Sequence, residues 1–335
     1  MTAAALAQYS ILALYTGMAV LGLAMLAFAL HIAGVAGQRS TVRAQLRERE
    51  LAGVTAGAAG AGARKAARPT GSSAVEETGA PAAGARAGGI GMSLTWLAFL
   101  LLLASLVLRG LVVMRAPIAN LYEFAIGGVI ATLGVYLAVA LRRPLRWLGL
   151  FIVTPSLLVL GLAVTSWYTA ATEVGPALQD YWLAIHVPIA VLSVGLFTVA
   201  FAVLVLQMLA ERRETALAAG RSARMTWLEA LPPAARLDRL SYSLHVAAFP
   251  LWTFTIVAGA IWGQKAWGTY WSWDPKETWS FVVWVIYAAY LHARATSGWK
   301  RRATAWIAVA GYVAILLNTT VVNKYFSGLH SYSGL

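Results

Sequence analysis

The chain has five histidines, and these are its first candidates for metal ligation. Imidazole is the commonest neutral side-chain ligand of metals. Cysteine is absent, which excludes disulfides, thiolate metal sites and cysteine nucleophiles from this chain. A histidine inside an apolar stretch is as often a buried polar group with a satisfied partner as a ligand, so each one needs a second observation.

The segment Trp267 to Trp279 reads WGTYWSWDPKETW and holds four tryptophans and one tyrosine in thirteen residues. An aromatic belt at a membrane interface would explain one or two of these rings. An aromatic belt does not readily explain four tryptophans in one segment, or the acidic and basic residues at 274–277 among them. A flat aromatic macrocycle would need such rings to stack on.

Charged residues near this segment have two interpretations. A macrocycle with acidic side groups would need a cation, and Lys276, Lys265 and Arg115 are the candidates. We interpret Asp274 and Glu277 as caps and braces of the loop rather than as general acids or bases.

The elements that must position these residues are apolar. Hydrophobic residues make up 60% of the chain and charged residues 12%, where a soluble domain has about one-quarter charged residues. A membrane-spanning helix needs about 20 apolar residues. Eight stretches approach that length: 9–37, 92–114, 123–141, 147–166, 183–210, 241–263, 281–296 and 303–322. We therefore predict an all-α, polytopic membrane protein in a lipid bilayer.

Basic residues predict the orientation of these spans. The net charge is +13, and 21 of the 26 Lys and Arg fall in the alternate segments 38–91, 142–146, 211–240 and 294–302. Such a bias marks the cytoplasmic side, and it favours membrane orientation over nucleic-acid binding. Both termini are then predicted on the outer side.

This orientation sorts the histidines by depth. His186 and His330 lie on the outer side with the Trp-rich segment, and His31, His245 and His292 lie near the inner ends of their spans. The two outer histidines are therefore stronger candidates for metal ligands than the other three.

Three regions follow from the same pattern. Residues 1–37 form the first transmembrane helix. Residues 38–91, rich in Ala and Gly, are predicted to be a disordered cytoplasmic linker. Residues 92–335 form a membrane domain of seven helices with an outer Trp-rich loop at 264–280.

Several motifs together resemble one family. The Trp-rich segment resembles the "WWD" signature of haem-handling proteins, and the chain is most similar to the CcsA family of cytochrome c biogenesis proteins (also called ResC, and CcsB in some bacteria). The further motifs that carry the resemblance are APIANLYEF at 116–124, LAIHV at 183–187, DRLSY at 238–242, YLHAR at 290–294 and SGLHSY at 327–332. The similarity covers roughly residues 92–335 and leaves the linker out.

The resemblance implies a set of site residues. His186 and His330 would be axial ligands of a haem on the outer side, and His292 would be one ligand of an inner, transit haem. The Trp-rich segment would contribute to haem binding through Trp267, Trp271, Trp273, Asp274 and Trp279. The haem would be b-type, before its attachment. The family's second inner ligand comes from a partner protein, and the residues leave His245 and His31 open as rivals for that role.

The resemblance also implies a function and partners. The chain would be the membrane component of a cytochrome c synthase, which moves haem outward and presents it for thioether attachment to the Cys-x-x-Cys-His motif of apocytochrome c. It would act with a ResB-like membrane partner in the bacterial plasma membrane, with its active face extracytoplasmic. Whether the chain itself is an enzyme, as part of a haem lyase complex, stays open.

Two alternatives remain. In the first, the chain exports and presents haem to a chaperone without ligating it. In the second, it is a transporter whose outer loop recognises another flat ligand. Transporters commonly bind near the midplane between internal repeats. The sequence has no visible repeat, and its special residues lie at the outer edge, which favours the haem interpretations.

Overall fold

The computed structural model describes residues 2–59, 83–171, 180–222 and 225–330, and no strand occurs in this part of the chain. The predicted all-α fold is confirmed. The long helices are α1 (Ala3–Ala59), α2 (Ala83–Val113), α3 (Leu121–Ala140), α4 (Gly149–Ser166), α5 (Tyr181–Ala218), α6 (Ala234–Trp267), α7 (Pro275–Ala295) and α8 (Arg301–Leu316). A π-helical turn, Leu317–Val322, continues α8 and leads into a last helical turn, Asn323–Tyr325.

Most of these helices can cross a bilayer. Within the described ranges, seven are long and apolar enough to do so, and α7 is the one long helix outside that set. It corresponds to the predicted stretch 281–296, and its sequence mixes apolar residues with Lys276, Glu277, His292 and Arg294. The chain is thus a multi-pass membrane protein, and the eighth crossing stays a prediction.

The ends of segment 38–91, which we predicted to be disordered, have a regular structure. Helix α1 continues to Ala59, and α2 begins at Ala83, so the ends of segment 38–91 are helical. Composition explains this, because Ala, Arg, Gln, Leu and Glu all favour helix even where no apolar face is buried. Residues 60–82 lie outside the described residues, and their role as a linker stays a prediction.

Helices α1 and α2 pack through glycines. A Cβ at Gly34 would meet the Cα of Gly84 at 3.0 Å, so the two backbones approach closely. Small residues commonly allow such contacts between membrane helices. His31 lies in this contact, where its Nδ1 is 2.6 Å from the Gly84 carbonyl oxygen.

Helix α5 lies centrally and packs against α3 on one side and α6 on the other, while α7 packs against α8. One apolar cluster includes residues of helices α1 through α6, and a second includes residues of helices α5 through α8. A smaller cluster around Trp262 lies where α5 begins and α6 ends. The start of α7 and the π-helical turn after α8 reach the same end of the bundle, which we call the outer end after its predicted orientation.

Candidate functional site

A cavity opens at the outer end of the bundle. Its empty space amounts to about 1110 Å³, a figure that includes the part open to solvent. Apolar side chains from the loop before α3 and from α3, α5 and α6 form most of its wall. His186 and His330 both border it. The structure therefore brings together the two histidines that the sequence placed on one side of the membrane.

His186 is held by α6. It lies in the second turn of α5, and its Nδ1 is 3.0 Å from the carbonyl oxygen of Thr255. Gly259 makes this approach possible, because a Cβ there would meet the imidazole at 2.8 Å. The indole of Trp262 stacks on the ring at 6.1 Å between centroids. An Nδ1–H donated to the carbonyl leaves the lone pair on Nε2, the nitrogen that can then bind a metal.

His330 is held by a carboxylate. Its Nδ1 lies 2.8 Å from Oδ2 of Asp274, and the backbone N–H of Leu329 donates to Oδ1 at 2.6 Å. A Cβ at Gly328 would collide with the same carboxylate, so glycine lets this tail segment approach. The pattern is that of a carboxylate orienting a metal-ligating histidine.

Asp274 can do this because it also begins α7. It is the N-cap of the helix, with Pro275 next and Glu277 completing a capping box. Burial alone would raise the pKa of the Asp274 carboxyl, but the hydrogen bond and charge of His330 and two backbone N–H groups together lower it. The predicted bracing role is compatible with this geometry, which adds a second role in orienting His330.

The four tryptophans of the segment occupy different surroundings. Trp267 lies 4.8 Å from the His330 ring, and Trp271 lines the cavity. Trp273 is 67% exposed and has a positive φ of 59°. Trp279 packs into the apolar cluster between α5 and α8. Trp271 is therefore placed to contact a ligand in the cavity, Trp267 packs against His330, and Trp279 serves the packing of α7.

Of the three candidate cations, Lys276 borders the cavity. Its Nζ donates to the carbonyl oxygen of Asn318 at 2.9 Å and to Oδ1 of Asn323 at 3.2 Å. Burial lowers the pKa of Lys276 to about 8, against the opposing charge of Asp274. Lys265 is exposed, 6.0 Å from the Tyr181 ring.

Arg115, the third candidate, belongs to a buried ion-pair network. Glu123 accepts from Arg109 Nε at 2.8 Å and from Arg115 Nη1 at 3.0 Å, and its side chain is fully buried. Asn120 caps α3 by accepting the N–H of Glu123. Because residues 118–121 line the cavity, this network holds one of its walls.

The inner histidines lie apart from the cavity. His292 is exposed near the end of α7. His245 is fully buried, with Nδ1 2.8 Å from the Ser241 carbonyl oxygen. Three aromatic rings surround it: Phe197, Tyr287 and Tyr290. Among the residues that the structure describes, no ring contact joins His292 to His245 or to His31. The two rivals for the inner site are thus held in the interior of the bundle, on helices other than α7.

Sequence reasoning missed four residues of the site: Thr255, Gly259, Trp262 and Asn318. The first three follow the i, i+4, i+7 spacing of one helix face and run toward the Trp-rich segment. Asn318 is a polar amide within a largely apolar span, which is itself a signal of function.

Comparison with known proteins agrees with this architecture. The sequence profile of the family described as "Cytochrome C assembly protein" matches residues 118–330. The chain is 34% identical over 266 residues to "Cytochrome c biogenesis protein CcsA" of Gloeobacter violaceus, covering 65% of this chain and 79% of that protein. It is 34% identical over 239 residues to the protein of the same name from Guillardia theta, covering 65% of this chain and 77% of that protein.

A solved structure shares the fold. "Cytochrome c Heme Lyase CcmF" superposes with a TM-score of 0.55 at 19% identity, over 95% of this chain. This chain spans 47% of the length of that structure. At this identity the likeness concerns the fold alone.

Proposed function

Because this chain belongs to the cytochrome c assembly protein family, we propose that it presents haem at the outer face of the membrane for covalent attachment to apocytochrome c. The chain is a membrane protein of cytochrome c biogenesis. In this proposal haem is its cargo, held in the outer cavity with His186 and His330 as axial ligands.

One observation carries the proposal. Two imidazoles border one cavity, and each has its Nδ1 within hydrogen-bonding distance of a protein oxygen, at 3.0 Å from Thr255 O and at 2.8 Å from Asp274 Oδ2. Such bonds fix the tautomer and orientation that a metal-ligating histidine needs. The apolar walls suit the faces of a porphyrin, Trp271 supplies an aromatic ring in the lining, and Trp267 packs against the His330 imidazole.

In the proposed reaction the role of this chain is to position haem. In the proposed reaction two thiols of a Cys-x-x-Cys-His motif add across the two vinyl groups of haem. Each addition forms one C–S bond and places the thiol hydrogen on the neighbouring vinyl carbon, so it consumes no oxidant or reductant. The residues of this chain hold the ring and leave its vinyl groups accessible, while the cofactor's own chemistry supplies the reactivity. The His of the arriving motif can replace one axial ligand and so help release.

Transit of haem to this site forms the second part of the proposal. His292 would ligate haem at an inner site, with a ResB-like membrane partner supplying the other ligand. The exposure of His292 near the end of α7 supports a ligand shared with another chain, because a buried histidine could not reach one. The outer cavity would then face the extracytoplasmic side of a bacterial plasma membrane.

Absorption spectra of the purified full chain test the outer site. We expect a bis-histidine haem spectrum for the wild type, and its loss in His186→Ala and in His330→Ala. His245→Ala is measured alongside and should keep the spectrum of the outer site, since His245 is a buried histidine outside the cavity and a rival ligand only for the inner site. Unchanged haem binding in both outer variants would refute the ligand assignment.

A second assay tests the reaction. The chain is expressed with its partner and a reporter apocytochrome in cells lacking their own synthase. Thioether-linked haem resists extraction by acid acetone, so it measures attachment directly. Haem release to a chaperone without thioether product would instead support the presenter function.

A further inference from the structure

Lys276 lies on the cavity wall, and its ammonium is hydrogen-bonded to uncharged groups. Two of the N–H groups of its ammonium donate to uncharged oxygens, the backbone carbonyl of Asn318 and Oδ1 of Asn323. Among the described residues it forms no salt bridge. A half-buried ammonium with only neutral acceptors is costly unless an anion completes its surroundings.

The neighbouring carboxylates are engaged by other groups. Asp274 accepts from His330, from the Leu329 N–H and from the backbone N–H of Lys276. Glu277 accepts from Ser272 and from the Asp274 N–H. The ammonium of Lys276 is therefore directed away from its own loop and toward the π-helical turn.

Asn318 adds a second polar group to this wall. It is 2% exposed, and its Oδ1 is buried without a hydrogen-bond partner within the described ranges. Its Nδ2 lies 3.1 Å from the Ser280 hydroxyl. Because a hydroxyl both donates and accepts, the amide can turn so that its NH₂ takes the unpartnered position. A buried amide group left unpaired costs free energy, which a ligand acceptor would recover.

The backbone that carries Asn318 is also irregular. Leu317–Val322 forms a π-helical turn, a feature that often marks functional sites because it alters the regular hydrogen-bond ladder. Here the Asn318 carbonyl accepts the ammonium of Lys276. Helix α7 and this turn thus contribute Lys276 and Asn318 to the polar part of the lining.

The apolar part belongs to other elements. Ile118, Phe124, Leu183 and Val187 line the cavity and pack in the cluster around Trp262. These residues come from the loop before α3, from α3 and from α5. The cavity therefore has one apolar wall and one polar wall, and the polar wall carries both the ammonium of Lys276 and the carboxylate of Glu277, which is occupied by the hydrogen bonds given above.

Haem has the same asymmetry, with two propionates at one edge and vinyl groups elsewhere on the ring. We propose that Lys276, with Asn318 and Asn323, forms a subsite for a haem propionate, so that the propionate edge faces α7 and the vinyl groups face the apolar wall. This inference rests on the proposed function. It gives the chain a means of choosing one orientation of the ring before attachment.

The test compares haem with its dimethyl ester, in which both propionates are blocked. Purified wild type, Lys276→Met and Lys265→Met are titrated with each, and the dissociation constant is read from the bis-histidine absorption. Lys265→Met removes the same charge from the exposed end of α6, outside the cavity lining.

We expect Lys276→Met to weaken haem binding by about 10- to 100-fold, the usual range for a hydrogen bond to a charged group. Binding of the ester should change less than about threefold in this variant, because it offers no carboxylate to pair with. Lys265→Met should alter neither. Asn318→Asp provides a second variant, since its carboxylate would compete for the ammonium and weaken haem binding but not ester binding.

Equal weakening of haem and ester in Lys276→Met, or no weakening of haem, would overturn the subsite. Absence of a bis-histidine spectrum in the wild type would instead refute the proposed function. A wild type that binds haem through His186 and His330, but in which Lys276→Met treats haem and ester alike, refutes this inference alone.

Discussion

Replacing Asp274 by Asn tests how the outer histidine is held. The change keeps the shape of the side chain and keeps a good N-cap for α7, because Asn and Asp cap helices about equally well. It removes the negative charge beside His330. The expected effect is therefore confined to the ligand and spares the helix.

The hydrogen bonds set the direction of the effect. In the wild type Oδ1 accepts from Leu329 N–H at 2.6 Å, and Oδ2 accepts from Lys276 N–H at 3.0 Å and faces His330 Nδ1 at 2.8 Å. Every group facing the carboxylate can be a donor. Either orientation of an amide would place its NH₂ against one of them. The tail segment then shifts, or His330 adopts the tautomer that carries its proton on Nε2 and cannot ligate.

Loss of such an orienting partner typically weakens metal binding about 10- to 100-fold. We expect Asp274→Asn to weaken haem binding within this range and to raise the midpoint potential, because a less basic imidazole stabilises ferric iron less. Both are measured by titration and by spectroelectrochemistry on the purified chain. Asp180→Asn is the control, since Asp180 caps α5 in the same way, through the N–H of Trp182.

Two outcomes would refute this reasoning. Haem affinity and potential equal to those of the wild type would show that the carboxylate does not orient the ligand. An equal loss in Asp180→Asn would show that any change of charge or cap at the outer end has the same effect. Thermal unfolding in detergent should be nearly the same for both variants.

Three further predictions follow from the same geometry. Gly259→Ala should displace His186 at a cost of about 1–3 kcal/mol and weaken the bis-histidine spectrum, whereas Gly161→Ala, where a Cβ would meet nothing within 4 Å, should leave it unchanged. Glu123→Gln should destabilise the protein by about 3 kcal/mol, because the buried Arg109 and the half-buried Arg115 lose their counter-charge; denaturation in detergent without a lowered midpoint would contradict this. Haem affinity should fall as the pH rises above about 8, where Lys276 loses its proton, and a titration of Lys276→Arg should lack this fall because the guanidinium stays charged.

Local sequence patterns predicted a large part of the fold. Apolar stretches located the helices, because a bilayer requires about 20 apolar residues per crossing. The one helix outside the apolar set, α7, was also the shortest predicted stretch. Helix α7 begins at Pro275, before the predicted stretch 281–296, although an Asp–Pro pair followed by Glu is a capping signal that could have located its start.

The linker shows the opposite case. Segment 38–91 lacks the apolar residues of a core, and this favoured disorder over helix. Its ends are nevertheless helical in α1 and α2. The lack of a buried apolar face is thus weak evidence for disorder where the residues themselves favour helix.

For the site, the sequence by itself predicted which residues lie at the same end of the helix bundle. Counting spans and basic segments placed His186, His330 and the Trp-rich segment together, because each crossing reverses the direction of the chain. It could not determine which way each helix faces. Lipid and protein interior are both apolar, so a membrane helix carries little amphipathic signal that would orient it. Only the tertiary structure decided that Thr255 and Asp274 hold the two imidazoles and that Lys276 borders the cavity while Lys265 does not, because these contacts depend on helix rotation and packing.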